Sequence, residues 1–238
     1  MQDTPASLEN SSTDYIVALL KGTAGVIPHV GSMVAEVIGA LIPNQRTDRI
    51  VDFIRKLSQN LADAQAQILR SRLSNPEALG LFEECLMQAA RAYTEDRRKH
   101  LAAFVKEGLA ADSFDRHRVA RLLNLLTQVS DLELVMLQKY CGEEEEAKLD
   151  NNMRDLIVGP IIAIGTPDDV RSEEAIAESR KLHLVSLGLL RAKYPHLRKG
   201  DIPKFDPSTG GFQNSGYQTT RLGRMLLVYA GMRDEIGY

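Results

Sequence analysis

The sequence has little of what catalysis or metal binding requires. Its five histidines lie in separate predicted elements, and no serine or cysteine occupies a nucleophile-elbow context. Apart from Asp96 and His100 in the charged run 96–100, no helical pair of histidine and carboxylate stands at four-residue spacing, and the glycines match neither a phosphate-binding loop nor a dinucleotide fingerprint. We therefore expect a protein that is not an enzyme and that uses neither a metal nor a cofactor.

Cysteines and targeting signals are also scarce. Cys85 and Cys141 have no partner at metal-ligand spacing, which is typical of a reduced cytosolic protein with structural thiols. Residues 1–14 are polar and acidic and lack the basic region and apolar run of a secretory signal. We expect a cytoplasmic protein whose residues 1–14 form a flexible tail.

The net charge is small but unevenly placed. A formal charge of −3 and a pI near 6.0 argue against a protein that coats nucleic acid. Residues 172–238 nevertheless hold ten Lys/Arg against seven Asp/Glu, so +3 there leaves −6 for the remainder. With 238 residues, 44% of them apolar, the chain suits one large or two small domains with a real core.

Residues 15–43 are almost wholly apolar and rich in glycine, although they contain Lys21, His29 and Glu36. Small residues recur at four-residue spacing, which lets helix backbones approach closely within lipid. We expect this segment to be membrane-active, and the residues that define it are Ala18, Lys21, Gly22, Gly25, Pro28, Gly31, Ala35, Glu36 and Gly39.

The apolar segment is predicted to form two helices. Gly25 and Pro28 interrupt the helical pattern, because proline removes a backbone donor and disfavours helix at the residue before it. We expect a helical hairpin of residues 14–24 and 30–41 that ends at Pro43.

The favourable and unfavourable contributions to the free energy of membrane insertion of this hairpin nearly cancel. Its nine strongly apolar residues from 22 to 43 contribute about −3 to −5 kcal/mol in total, while Glu36 opposes insertion by about +2.5 to +3.5 kcal/mol. The hairpin is therefore expected to be buried in a soluble bundle and to be released to a bilayer, where Glu36 and His29 would face a wet interior or a neighbouring chain. An ordinary close-packed core hairpin is an equally weighted alternative.

Two long helices are predicted after the hairpin. A seam of period 3.5 predicts one continuous helix through Ile50, Ile54, Leu57, Leu61, Ala64 and Ile68. A second helix begins at Pro76, runs past Tyr93 and ends before Gly108. With the hairpin they would form a four-helix bundle over residues 15–110. The charged run 96–100 is expected to be a solvated face.

The remaining residues, 111–238, are predicted to form a second, mainly α domain with a small β component. Residues 115–128 form a helix, and Ser130 with Glu133 fits a capping box that opens another. An apolar stretch broken by Gly and Pro forms an insertion at about 148–171.

The end of the chain has the element order of a winged-helix module. A helix starts at Ser172 and ends at Gly188, and a short strand follows over 189–194. A polar stretch, residues 195–215, which we call the wing, leads to a strand over 217–219 and a final helix. The chain from residue 116 onward therefore resembles winged-helix domains.

Basic residues of this module form a candidate surface for nucleic acid or a protein partner. Winged-helix proteins place one helix in the DNA major groove and contact the backbone with the wing. The candidate residues are Arg180, Lys181, His183, Arg191, Lys193, Arg198, Lys199 and Lys204. A net charge of about +3 is weak for DNA binding, and winged helices also bind proteins, so both alternatives stay open.

Two motifs in the first half carry a second resemblance. Residues 22–28, GTAGVIP, the following Gly31, and residues 42–46, IPNQR, with Arg49 resemble the N-terminal helical domain of bacterial abortive-infection alpha effectors. Such domains are similar in character to HeLo-like and Bell-like death domains. The resemblance implies a helical bundle whose N-terminal apolar segment permeabilises the cell's own membrane after activation.

The leading hypothesis is a cytoplasmic antiphage toxin, an abortive-infection effector that forms pores in the inner membrane when activated. The implied partners are membrane lipid on activation, further copies of the chain, and a phage-derived or other protein trigger. The alternative is a winged-helix transcription regulator with a helical dimerisation domain, although nucleic acid is not the favoured partner. A purely structural adaptor is the third class considered.

Overall fold

A computed structural model of the chain describes residues 46–142, 157, 159–160, 163, 165–198, 202–205 and 211–236. These residues are mainly helical, with a small two-stranded sheet. The helices are α1 Thr47–Asn60, α2 Asp63–Arg72, α3 Pro76–Arg91, α4 Glu95–Phe104, α5 Arg116–Gln128, α6 Asp131–Lys139, α7 Asp168–Ser186 and α8 Arg221–Tyr229, and the strands are β1 Leu190–Lys193 and β2 Gly216–Thr219.

Residue contacts divide the chain into two compact units. The first holds the described residues up to Thr127 together with Tyr229–Gly231, and the second holds those from Gln128 to Val228 and from Met232 onward. This division groups almost all of α5 with the first unit, whereas the sequence-based boundary at 110/111 groups it with the second.

The first unit consists of helices that pack around an apolar core. α1 packs against α4 and α3, and its inward residues Ile50, Phe53 and Leu57 are fully buried. A π-helical turn, Val105–Leu109, extends α4, and its end is covered by Arg72, whose guanidinium donates to the carbonyls of Leu109, Ala111 and Asp112. The core is thus closed at this end by a fork of charge-assisted hydrogen bonds.

The predicted continuous seam over 50–68 is wrong beyond Leu57. The chain is extended at Leu61 and Ala62, and α2 then starts as a separate helix, where Gln65 accepts a hydrogen bond from the Ala62 amide. Ala64, predicted to be buried, is therefore exposed. α2 turns Ala66 and Leu69 inward instead, because tertiary packing decides which face of a short helix is covered.

The predicted helix from Pro76 past Tyr93 is also divided. Pro76 occupies the first turn of α3, as expected, and Asn75 caps it, but the helix ends at Arg91. Thr94 then caps α4 by accepting from the Arg97 amide at 3.1 Å. Tyr93 lies in the break and is 84% exposed, so the predicted continuation of the helix through this residue is wrong.

The second unit contains α6, α7, the two strands and α8 apart from its last residue. Ser130 and Glu133 form the predicted capping box at the start of α6. α7 begins at Asp168, four residues before the predicted start at Ser172, and it ends before Gly188, which has a φ of +73°. A positive φ suits glycine at a helix end, so this predicted stop is confirmed.

The two strands are antiparallel, with Leu190 opposite Thr219 and Lys193 opposite Gly216. Thr220 caps α8 by accepting from the Gly223 amide, as its position before the helix indicated. Gly223 is required here, because a Cβ atom would lie 2.5 Å from the Leu189 carbonyl oxygen. Thus β1, β2 and the start of α8 form one close-packed corner.

Candidate functional site

The predicted membrane-active segment, residues 15–43, lies outside the described residues, and so does most of the insertion at 148–171. Its defining positions Ala18, Lys21, Gly22, Gly25, Pro28, Gly31, Ala35, Glu36 and Gly39 all fall there. Among the described helices, none has both the length and the apolar character that a bilayer crossing needs.

The basic residues of α7 are engaged within the second unit. Lys181 Nζ lies 2.7 Å from Glu178 Oε2 one turn earlier, and His183 Nδ1 lies 2.6 Å from Glu133 Oε1 on α6. Partial burial lowers the pKa of Lys181, but the hydrogen bond and charge of Glu178 outweigh it and hold that pKa above its ordinary value. Arg180 is half-buried. The geometry therefore does not present these three side chains as a row for DNA phosphates.

The exposed face of α7 between residues 172 and 186 has a different chemistry. Six of its seven exposed positions carry small or apolar side chains, and the seventh is Glu173; the six are Ser172, Ala175, Ile176, Ser179, Leu182 and Ser186. Base readout in the major groove relies on Arg, Lys, Asn and Gln. This face lacks those residues and suits contact with a protein better than with DNA.

The strand and wing residues of the candidate surface are more accessible. Arg191 donates to the Gln218 side chain across the sheet at 3.0 Å, and Lys193, Arg198 and Lys204 are exposed. Lys199 lies outside the described residues. Of the seven described basic residues, the three on α7 are half-buried, with Lys181 and His183 paired, and the four around the wing are exposed.

A polar cluster that the sequence did not predict joins α7 to β2. The Tyr217 hydroxyl donates to Glu178 Oε1 at 3.4 Å, and its ring lies edge-on to Tyr140 with centroids 5.8 Å apart. Burial and the Glu178 carboxylate both raise the pKa of Tyr217. The partners come from three distant segments, so no spacing rule could have found them.

The wing carries a second feature that sequence reasoning missed, an apolar patch on the surface. We call it the wing patch, and its members are Tyr194, Leu197, Ile202, Phe205 and Phe212, all exposed. The Phe205 and Phe212 rings stack with centroids 5.0 Å apart. A signal was available, because large apolar residues are unusual in a stretch rich in Gly, Pro and Lys.

Nucleophile and metal chemistry find little support in the described part of the chain. Cys85 is fully buried, and burial raises the pKa of its thiol, which keeps it protonated. Among the described residues, no group of three or more His, Cys, Asp or Glu side chains is placed to hold a metal ion.

No protein-family model, no curated protein and no solved structure matches the sequence.

Proposed function

We propose that the protein is an antiphage defence effector that permeabilises the host membrane when it is activated. The observation that carries this proposal is the apolar, glycine-rich segment 15–43, in which Glu36 opposes insertion by about as much as the apolar residues favour it. A segment so close to balance can be kept in a folded protein and released to lipid by a modest change of surroundings. The proposed protein is cytoplasmic, moves to the inner membrane on activation and acts there as a homo-oligomer without catalysis.

The bundle that follows the segment supports this proposal. α1 begins at Thr47, a few residues after the segment, and is held to α4 by charged side chains as well as by its core face. Asp52 pairs with Arg98, and Lys56 Nζ lies 3.2 Å from Glu95 Oε1. Because these contacts hold α1 to α4, the segment can change its environment while the bundle stays folded.

For the second unit we propose a winged-helix-like module that senses a trigger or restrains the effector. The order α7, β1, wing, β2, α8 and the antiparallel register of the strands support this assignment. Between residues 172 and 186 the exposed face of α7 carries no basic side chain, which favours a protein contact, so a phage-derived or host protein is the proposed trigger.

The experiment compares cell killing and dye leakage for full-length variants at equal expression. Replacing Gly31 and Gly39 together with Leu should abolish both activities, because close approach of helices needs small residues. Gly80→Leu is the matched control, since Gly80 is exposed on α3 with no atom within 4 Å of an added Cβ. A double variant that kills and leaks as strongly as the control would refute the proposal.

The second candidate function is a winged-helix DNA-binding regulator whose helical bundle dimerises. The exposed group of Arg191, Lys193, Arg198 and Lys204 favours it, because phosphate contacts come from accessible basic side chains. Binding of labelled duplex by the full chain should then fall by one to several decades, roughly, between low and physiological salt. Absence of binding at low salt would eliminate this candidate.

A further inference from the structure

We propose that the wing patch, with the lysines beside it, is a docking surface for an anionic lipid bilayer. This inference concerns the second unit and does not rest on the activity proposed for residues 15–43. It starts from the exposure of the patch, in which Ile202 is 85% and Phe205 is 62% accessible. Contiguous large apolar side chains at a protein surface mark an interaction site.

The backbone holds these side chains in place. Phe205 and Phe212 form an antiparallel bridge across the wing, and the Gln213 amide donates to the Lys204 carbonyl at 2.8 Å. Their stacked rings are therefore presented together by a short paired segment. Phe is among the side chains that membrane-surface segments bury at the boundary between lipid headgroups and acyl chains.

The charges around the patch identify the kind of lipid. Leu190 to Ser215 contain five Lys/Arg and two Asp, a net charge of +3. Lys193 and Lys204 are exposed, and no ion pair joins either of them to another residue of the described ranges. Apolar side chains that enter the interface beside basic ones are typical of proteins that bind anionic membranes.

A cavity in the patch has matching chemistry. Its volume is about 200 Å³, and its walls are Tyr194, Pro195, Leu197, Pro203 and Phe212, with Gln213 and Lys204 beside them. An apolar group can therefore enter next to a cationic side chain. An anionic amphiphile has an apolar tail for the cavity and a negative headgroup for the lysine. An anionic bilayer presents many such molecules at once.

The test uses the absence of tryptophan from the chain. Phe205→Trp places the single indole of the full-length protein in the patch, and Tyr93→Trp places it at an exposed position of the first unit as the control. Phosphatidylcholine vesicles with and without phosphatidylglycerol are then titrated into each variant. We expect the emission of Phe205→Trp to shift to shorter wavelength with anionic vesicles only, and that of Tyr93→Trp to stay unchanged.

Charge variants test the electrostatic part on the Phe205→Trp background. Each lysine near an anionic surface adds roughly fivefold to the binding constant, so Lys193→Gln with Lys204→Gln should weaken vesicle binding about 25-fold. Adding the Gly31 and Gly39 to Leu changes should remove dye leakage and leave the emission shift intact. This result separates the wing from the segment 15–43.

Three results would overturn the proposal. The first is an emission maximum that does not move at saturating anionic vesicles, which would leave the patch to a protein partner. The second is an equal shift with neutral vesicles, and the third is loss of the shift in the Gly31 and Gly39 variant. Thermal unfolding midpoints equal to that of the wild type show that each variant is folded.

Discussion

His183 on α7 donates a hydrogen bond to Glu133 on α6 across 2.6 Å, although fifty residues separate them in sequence. Glu133 is 5% exposed, and its other carboxylate oxygen accepts from the Ser130 amide and hydroxyl. One carboxylate therefore caps α6 and ties it to α7. A charged group so well buried is tolerated because several donors satisfy it.

The coupling between these two residues can be measured. His183→Ala leaves a buried carboxylate oxygen without its donor, and we expect the free energy of unfolding to fall by about 1 to 3 kcal/mol. Glu133→Ala removes the cap as well and should have a larger effect. A double-mutant cycle by urea denaturation should give a coupling of about 0.5 to 3 kcal/mol, and additive effects would contradict the pairing.

Asp52 predicts an acid sensitivity of the first unit. Partial burial raises the pKa of Asp52, but the hydrogen bonds and charges of Lys56 and Arg98 outweigh it, so the pKa lies below its ordinary value. A lowered folded-state pKa stabilises the protein above the unfolded-state pKa of about 4, and this contribution is lost as pH falls further.

Asp52→Asn should therefore lower stability at neutral pH by about 1 to 2 kcal/mol and reduce its decline between pH 5 and pH 3, roughly. Asp96→Asn is the control, since Asp96 is exposed and pairs only with Lys99 on its own helix among the contacts described. Urea unfolding across this pH range measures the stability of both variants. Parallel pH curves for wild type and Asp52→Asn would refute the assignment.

Two glycine-to-alanine changes should have opposite signs. Gly223→Ala places a Cβ atom 2.5 Å from the Leu189 carbonyl oxygen and 2.7 Å from Thr219 Cγ2, so the corner of the second unit must move. We expect destabilisation by about 1 to 3 kcal/mol. Gly80→Ala meets no neighbour within 4 Å and should stabilise α3 by up to about 1 kcal/mol. Thermal unfolding distinguishes them, and equal effects would show that the corner is loosely packed.

Glu36 is predicted to keep the apolar segment out of lipid. Removing an ionised side chain lowers the free energy of insertion by about 2.5 to 3.5 kcal/mol, a factor of tens or more in population. Glu36→Leu should therefore appear in the membrane fraction without any trigger. Glu173→Leu makes the same change at an exposed position of α7, and this variant should remain in the soluble fraction as the wild type does. Equal solubility of both variants would assign Glu36 a different role.

Local chemistry made several elements predictable. Pro76 after Asn75, Ser130 with Glu133, Gly188 and Thr220 each act through backbone groups within a few residues. Such signals mark where a helix starts or stops whatever the rest of the chain does. The prediction of α5 succeeded similarly, because its buried face repeats at helical spacing from Val119 to Leu126.

The charged run 96–100 makes contacts that the sequence could not predict. It was predicted to be solvated, and Asp96 and Lys99 are exposed as expected. Arg98, however, reaches Asp52 and the Ala92 carbonyl, and Arg97 donates to the Leu126 carbonyl. Long basic side chains can bury their stems and meet distant acceptors, and the spacing along one helix does not reveal those acceptors.

The sequence by itself determined a mainly helical chain, its main caps and stops, and the apolar segment on which the proposed activity rests. Only the tertiary structure decided that the helices break at Leu61 and Tyr93, that Lys181 and His183 of α7 pair with carboxylates of the second unit, and that the wing gathers its aromatic side chains. The physical reason is the distance along the chain over which each effect acts. Caps and periodicity act over a few residues, whereas burial and pairing depend on partners that folding brings together from distant segments.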